Sequence, residues 1–286
     1  MPELPEVETI RRQLAPQLEG RRVERAEVLD ARWSYPAAPS ELADAVEGRE
    51  VLSLGRRGKY FDVELTGEVH LAMHLRMTGN LLLIPPGTDT PSGGTGGERP
   101  YVRVRLELDD GSAVLFADPR RFGTGLVLLG HDARDEYFSA RLGVEPLSAD
   151  FTPQALQALA KGRRSPVKAF LLSQERIAGV GNIYADEALF RARIHPLRPV
   201  GALRRPQLEA LHGAVIESLE AGIDARGASI DDFRHTDGAR GSFQDRFLVH
   251  RREGDPCPRC GTEIVKLRAA GRGTYICPRC QRPPRG

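Results

Sequence analysis

The spacing of apolar residues near the N-terminus predicts a helix with one buried face. Val7, Ile10, Leu14 and Leu18 recur at helical intervals. Pro5 suits the first helical position, where its missing N–H costs nothing. Pro2 and Glu3 precede this predicted helix, so helix formation does not account for them.

The rest of the first half alternates with a period of two. Apolar residues between Val69 and Met77 are separated by the residues His70, Ala72, His74 and Arg76. This alternation predicts a half-buried strand with an apolar face and a cationic face. Residues 102–108 alternate in the same way, and "DDGS" at 109–112 predicts a hairpin turn. The Gly-, Pro- and Thr-rich stretch at 85–100 predicts a loop without regular structure. We therefore expect an antiparallel β-sandwich in this half.

Helical patterns replace the strands beyond about residue 150. "FTPQALQALAKG" carries Thr152 as N-cap and Pro153 at the first helical position, and "SPVKAFLLSQ" repeats the device with Ser165 and Pro166. Two further helices are predicted over 179–194 and 206–222. The fold class is therefore α+β. We expect a β-sandwich over 1–135, a linker over 136–150, a helical domain over 151–245 and a C-terminal segment over 246–286.

Charge is placed unevenly along the chain. The whole chain carries a net charge of +2, but residues 246–286 hold ten Lys and Arg against three Asp and Glu, which is +7 and leaves −5 for the remainder. A basic tail favours a polyanionic partner, although a merely solvated tail fits the charge equally well. No membrane-spanning run and no signal peptide is recognisable, so we expect a cytoplasmic protein.

All four cysteines lie in this basic tail. Cys257 and Cys260, then Cys277 and Cys280, form two C-x2-C pairs separated by sixteen residues. This spacing is typical of a four-thiolate zinc site, whereas disulfides are unexpected in a cytoplasmic chain. Four protein ligands leave no open coordination position. We therefore predict one structural Zn²⁺ ion.

The start "MPELPEVET" offers a nucleophile. Removal of Met1 leaves Pro2 with a secondary amine, and terminal amines have pKa values near 7.7–8.0 in model peptides. Attack of this amine on a sugar C1′ gives an iminium, which acts as an electron sink for elimination. Glu3 can donate or relay a proton. Considered alone, Pro2 is better explained by efficient removal of the methionine.

Several other residues have the chemistry to contact nucleic acid. Lys59 in "RRGKY" and His74 can hold phosphates, as can the helix start at Asn182 in "GVGN". Arg272 in "GRGT" lies at the expected tip of the zinc hairpin. For each of them, ordinary solvated charge or a tight helix junction is the alternative.

The turn "DPRRFG" at 118–123 carries Arg120 beside Phe122. An exposed aromatic ring next to an arginine can wedge into a base stack. The alternative is a surface turn whose phenylalanine packs into the core.

Together these motifs resemble one family. MPELPEVET, RRGKY, HLRMTGN, DPRRFG, GVGNIYADEALF and the four-cysteine finger stand in the order seen in the formamidopyrimidine-DNA glycosylases, from residue 2 to about residue 282. The resemblance implies a helix–two-turn–helix in the helical domain. It also implies a bifunctional glycosylase and AP lyase that excises 8-oxoguanine and formamidopyrimidines from double-stranded DNA in base excision repair. A monomer at the nucleoid, without a nucleotide cofactor, is expected.

The resemblance also implies roles for individual residues. Pro2 matches the nucleophile, Glu3 the general acid and Glu6 a supporting carboxylate. The phosphate contacts fall to Lys59, His74, Asn182 and Arg272, of which Lys59 and Arg272 also belong to the catalytic set. The gap left by the flipped base would be filled by Met77, Arg120 and Phe122. The stretch 234–244 resembles a flexible loop that closes over the damaged base.

Two other functions compete with this one. Endonuclease VIII shares the fold, the proline and the finger but removes oxidised pyrimidines; "MPELPEVET" and the Arg-x-Phe of "DPRRFG" favour the purine enzyme. A non-catalytic zinc-dependent protein that binds lesion DNA would have no need of Pro2, Glu3 and Lys59.

Overall fold

The computed structural model describes residues 1–88, 101–230 and 233–283. Residues 89–100, most of the loop predicted at 85–100, lie outside that description. The chain forms two compact units. Unit 1 comprises residues 1–140 and 226–242, and unit 2 comprises residues 141–225 and 243–286. We call residues 226–242 the return segment. The sequence alone placed them in the helical domain, but they group with unit 1; the other predicted domain boundaries stay predictions.

Helix α1 spans Leu4–Leu18 and carries the predicted stripe. Val7 and Ile10 are fully buried, and the other stripe residues are nearly so. The helix begins one residue earlier than predicted, so Pro5 occupies its second position. Its backbone nitrogen still needs no intrahelical partner there. Glu3 is the N-cap residue.

Unit 1 contains two four-stranded antiparallel sheets. One has the strand order β1-β6-β7-β5 and the other β2-β3-β4-β8. Their strands are β1 (Val23–Val28), β2 (Val51–Arg57), β3 (Tyr60–Leu65), β4 (Val69–His74), β5 (Asn80–Ile84), β6 (Val102–Leu108), β7 (Ala113–Ala117) and β8 (Thr124–Leu129). Both sheets contribute to one apolar core, with Leu106 and Val114 from the first and Phe61 and Val63 from the second. The predicted sandwich and the hairpin turn between β6 and β7 are confirmed.

Strand β4 differs from its prediction because both of its faces are buried. His70 and His74, expected on a solvated cationic face, are 3% and 7% exposed. The ring of Tyr60 packs edge-on against His74 at 4.5 Å between centroids, and Phe138 packs against Tyr60. Phe138 belongs to helix α4 (His131–Ser139), which covers this face. The burial therefore comes from an element about sixty residues later in the chain.

Two short helices, α2 (Ala31–Ser34) and α3 (Pro39–Val46), complete unit 1. Trp33 of α2 reaches the core, where its ring packs edge-on against Phe116. No helix in the described parts of the chain has both the length and the apolar character needed to cross a membrane.

The helices of unit 2 are α5 (Pro153–Ala160), α6 (Val167–Leu172), α7 (Asn182–Arg191) and α8 (Arg205–Asp224). Thr152 caps α5 as predicted, its hydroxyl accepting the Ala155 N–H. The prediction that Ser165 caps α6 is wrong, because Pro166 is the N-cap residue of this helix. The Ser165 hydroxyl is buried without a hydrogen-bond partner among the described residues.

The C-terminal segment of unit 2 contains a hairpin of β9 (Val265–Ala269) and β10 (Arg272–Ile276), which the second cysteine pair follows. Its two-residue turn, Ala270 and Gly271, has φ angles of 51° and 72°. Left-handed values at both positions are those of the tight hairpin turns that match strand twist. Glu187 of α7 ties this segment to the helices by accepting the backbone N–H groups of residues 248–250.

Candidate active site and DNA-contact residues

The N-terminal residues form a buried carboxylate cluster at the start of α1. Pro2 is buried, and Glu3 and Glu6 are 3% and 1% exposed. The Glu3 N–H donates to Glu6 Oε2 at 2.8 Å. Glu6 Oε1 accepts the Ala228 N–H at 2.7 Å. One carboxylate thus fixes both the backbone beside Pro2 and the return segment.

The return segment approaches α1 closely because of its glycines. Gly227 has a φ of +78°, and a Cβ there would lie 2.9 Å from Glu6 Cγ. A Cβ on Gly241 would lie 2.2 Å from the Gly227 carbonyl oxygen. His235 links the two ends of the return segment, because its Nε2 lies within hydrogen-bond distance, 2.8 Å, of the Arg226 carbonyl oxygen. The segment is therefore folded onto itself and onto α1.

Two other residues of the return segment bind the body of unit 1. The Arg234 N–H donates to Asn80 Oδ1 at 3.0 Å, and the Leu83 N–H donates to the Thr236 carbonyl at 3.2 Å. These bonds attach the stretch 234–244, which resembles the family's closing loop, along the edge of strand β5.

Lys59 lies in the turn before β3, and His74 lies at the end of the neighbouring strand β4. Lys59 is 4% exposed in the β2–β3 turn, beside Tyr60, which pairs with His74. Burial, then the positive charges of Arg76 and Lys59, lowers the pKa of His74 to about 3. The His74 Nδ1 accepts the Arg76 N–H at 2.8 Å, which places its proton on Nε2. His74 is thus a neutral hydrogen-bond donor. The solvated-charge alternative is wrong for both residues.

Met77, Arg120 and Phe122 are exposed, and the guanidinium of Arg120 lies 4.9 Å from the Phe122 ring centroid. Phe122 is 51% exposed, so the alternative that it packs into the core is wrong.

One buried carboxylate, Asp118, organises this turn. It accepts the backbone N–H groups of Arg120, Phe122 and Gly123 at 3.1, 2.8 and 2.7 Å. It also accepts the hydroxyl of Thr78, the residue after Met77. Asp118 therefore connects all three residues proposed to fill the gap.

Asn182 and Arg272 belong to unit 2. Asn182 begins α7, and its Nδ2 donates to the Gly273 carbonyl at 3.1 Å. Lys168 is fully buried and donates to the same carbonyl, to Asp186 and to Thr274. These contacts hold the start of β10, where Arg272 lies, against α7.

The four cysteine Sγ atoms lie within 4.8 Å of one another. Three Sγ···Sγ separations are 3.4, 3.6 and 4.0 Å, between Cys260 and Cys277, Cys260 and Cys280, and Cys257 and Cys280. Thiolates placed 2.3 Å from a tetrahedral zinc ion lie about 3.8 Å apart. These separations are far longer than a disulfide bond. The four cysteines fit one structural Zn²⁺ ion.

Models of three protein domains match this chain in order. The N-terminal domain of formamidopyrimidine-DNA glycosylase matches residues 1–125, its H2TH domain matches residues 142–234, and a zinc finger found in FPG and IleRS matches residues 254–283. The chain belongs to the formamidopyrimidine-DNA glycosylase family.

Relatives of this glycosylase match over nearly its whole length. Formamidopyrimidine-DNA glycosylase of Chloroflexus aurantiacus is 44% identical over 283 residues, covering 98% of either chain. The Thermus thermophilus protein has a crystal structure that superposes with a TM-score of 0.85 at 40% identity, covering 99% of this chain and 100% of that one.

Structures of the Lactococcus lactis glycosylase include its DNA complexes. One holds DNA containing Fapy-dG and superposes with a TM-score of 0.87 at 32% identity, covering 98% of this chain and 100% of that one. Another holds DNA containing an oxidised pyrimidine. It superposes with a TM-score of 0.87 at 32% identity, covering 99% of this chain and 100% of that one.

Sequence reasoning missed two contributors to this candidate site. Asp118 precedes the turn in "DPRRFG", and an aspartate before a turn often accepts backbone N–H groups, which is the signal that could have identified it. Ala228 supplies a backbone donor, and no side-chain pattern marks such a group. The zinc ligands were the easiest to predict, because thiolate spacing is itself the evidence.

Proposed function

We propose that this chain is a bifunctional DNA glycosylase and AP lyase that excises 8-oxoguanine and formamidopyrimidines from duplex DNA. The observation that carries the proposal is the buried N-terminal cluster, in which Pro2 and Glu3 stand next to a carboxylate, Glu6, that also holds the return segment. A base within a duplex is inaccessible to these groups. The damaged nucleotide must therefore be flipped out, at a cost of a few kcal/mol.

After removal of Met1, the Pro2 nitrogen attacks C1′ with its lone pair. The glycosidic bond breaks, and its electrons leave with the base, which takes up the proton that the Pro2 nitrogen loses on forming its bond to C1′. The sugar ring opens as Glu3 donates a proton to the ring oxygen, which leaves an iminium between Pro2 and C1′.

Strand cleavage follows from the iminium. Loss of a proton from C2′ expels the 3′ phosphate by β-elimination, and a second proton loss expels the 5′ phosphate by δ-elimination. Water then hydrolyses the iminium and releases Pro2. The product is a one-nucleotide gap flanked by phosphates.

The remaining residues hold the DNA in this scheme. Lys59, His74, Asn182 and Arg272 bind phosphates around the lesion, since cationic and N–H donors supply most of the affinity for DNA. Met77, Arg120 and Phe122 occupy the space that the flipped base leaves, with Phe122 as the wedge. The enzyme acts as a monomer on cytoplasmic, nucleoid DNA.

Excision from matched duplexes tests the proposal. The wild-type chain should release 8-oxoguanine opposite cytosine faster than thymine glycol, and should leave a gap with phosphates at both ends. Glu3→Gln should lower excision by at least about a hundredfold, the usual contribution of a general acid. Glu24→Gln, at an exposed position of β1, is the matched control. Faster release of thymine glycol would assign the chain to oxidised pyrimidines instead.

A further inference from the structure

Besides the cysteines, one group of potential metal ligands is present among the described residues, and it lies in unit 1. Its members are Glu64, His70 and His131, whose ligand atoms lie within 4.8 Å of one another. Glu64 and His70 are cross-strand partners in β3 and β4. His131 is the first residue of α4. Regular secondary structure therefore holds all three side chains in place.

His70 is oriented as a metal-binding histidine. Its Nδ1 lies 3.2 Å from Asp62 Oδ1, and Asp62 Oδ2 in turn accepts Arg134 Nε at 2.7 Å. A carboxylate that holds one ring nitrogen fixes the tautomer, so the other nitrogen carries the lone pair. In His70 that nitrogen is Nε2, and it faces His131.

The two histidines converge at a distance that suits a shared ion. His70 Nε2 and His131 Nδ1 are 3.0 Å apart. Nitrogens bound about 2.0–2.1 Å from a tetrahedral ion lie roughly 3.3–3.4 Å apart, so a small opening admits the ion. The proton on His131 Nδ1 moves to its Nε2 when the ion binds. His131 is exposed, so water can accept that hydrogen bond.

Charge and ligand chemistry select the kind of ion. The negative charges of Asp62 and Glu64 outweigh the positive charge of Arg134, which leaves the cluster attractive to a divalent cation. Two imidazoles and one carboxylate suit Zn²⁺ and its first-row neighbours rather than Mg²⁺ or Ca²⁺. Three protein ligands leave a fourth position for water.

We propose that Glu64, His70 and His131 form a second divalent transition-metal site, separate from the cysteine finger. His70 and His74 lie four residues apart on β4, so the site is about 13 Å along the strand from His74. A bound ion ties the start of α4 to the β3–β4 hairpin. It therefore stabilises unit 1, because any ligand that binds the folded state alone does so.

Zinc stoichiometry of the full-length chain tests this site. The protein, with its finger loaded, is dialysed against buffered Zn²⁺ in the micromolar range, and bound zinc is measured by atomic absorption. We expect two ions per chain in the wild type and one in His131→Gln and in Glu64→Gln. Glu68→Gln, an exposed carboxylate change in the β3–β4 turn, should keep two. His131 is exposed, so its variant is expected to fold.

Added Co²⁺ gives an independent readout. In protein whose finger already holds Zn²⁺, Co²⁺ bound at the second site should produce weak visible bands. The near-ultraviolet thiolate charge-transfer band of a cysteine site should be missing from this spectrum. The bound Co²⁺ should also raise the thermal midpoint of the wild type but not that of His131→Gln. A wild type that binds a single zinc ion would overturn the proposal. So would a second ion that persists in both variants.

Discussion

Glu6 Oε1 accepts the backbone N–H of Ala228 at 2.7 Å, although the two residues are 222 positions apart in the chain. The other oxygen of the same carboxylate accepts the N–H of Glu3 at 2.8 Å. The start of α1 and the return segment are therefore fixed by one buried side chain. The return segment, which runs into the stretch that resembles the family's closing loop, is therefore anchored at Ala228 to the carboxylate that holds the backbone beside the proposed nucleophile.

Glu6→Gln should release the return segment. An amide has one acceptor oxygen, so one of the two backbone N–H groups loses its partner, at a cost of about 1.5–3 kcal/mol for a bond to a charged group. We expect the Ala228 amide to exchange with solvent roughly ten- to a hundredfold faster, as measured by hydrogen–deuterium exchange. Glu47→Gln is the matched control, because Glu47 Oε1 accepts the Ala26 N–H in the same unit. Unchanged exchange at Ala228 in Glu6→Gln would show that the anchor lies elsewhere.

The sequence predicted features that depend on local patterns. The periods of α1, α8 and β6 identified those elements, and the cysteine spacing identified the finger. The burial of His74 was missed, because α4 covers it from a distant part of the chain. The anchoring of the return segment was missed for the same reason. Both depend on tertiary contacts, which local propensity does not encode.

Asp118→Asn should disorder the turn that carries Arg120 and Phe122. Asp118 accepts three N–H groups and the Thr78 hydroxyl, and an amide cannot accept at both of its ends. We expect affinity for lesion duplex to fall by roughly tenfold or more, as measured by fluorescence anisotropy. Asp110→Asn is the control, since Asp110 caps the β6–β7 turn in a similar way.

Thr78→Val separates this effect from misfolding. It removes only the hydroxyl that links Asp118 to the Met77 turn, so a smaller loss of about threefold to tenfold is expected. Full affinity in both Asp118→Asn and Thr78→Val would show that Asp118 does not position these side chains.

His74 should make the folded state sensitive to acid. Its pKa is lowered to about 3 in the folded protein, so below pH 6.5 the unfolded chain binds a proton that the folded chain does not. Stability therefore falls as the pH drops from about 6.5 towards 3, by roughly 2 kcal/mol at pH 5. His74→Gln should lose this component of the pH dependence in urea unfolding. A wild type and a variant with parallel pH profiles would mean that His74 titrates normally.

Removal of zinc should affect DNA binding before it affects unit 1. Cys277→Ser removes one thiolate, and the folding free energy of a zinc module depends on its metal. We expect loss of the bound zinc and a fall of at least tenfold in duplex affinity. The thermal transition of unit 1, which has its own core, should remain where it is. Cooperative loss of both units in calorimetry would contradict this expectation.

Borohydride trapping shows whether Pro2 is the nucleophile. The wild-type chain is mixed with a duplex that holds one 8-oxoguanine opposite cytosine, reduced with borohydride, digested and mapped by mass spectrometry. We expect a covalent adduct on the terminal amine of Pro2 in protein that lacks Met1. Strand cleavage with no adduct at Pro2, or an adduct on a lysine, would contradict this role of Pro2.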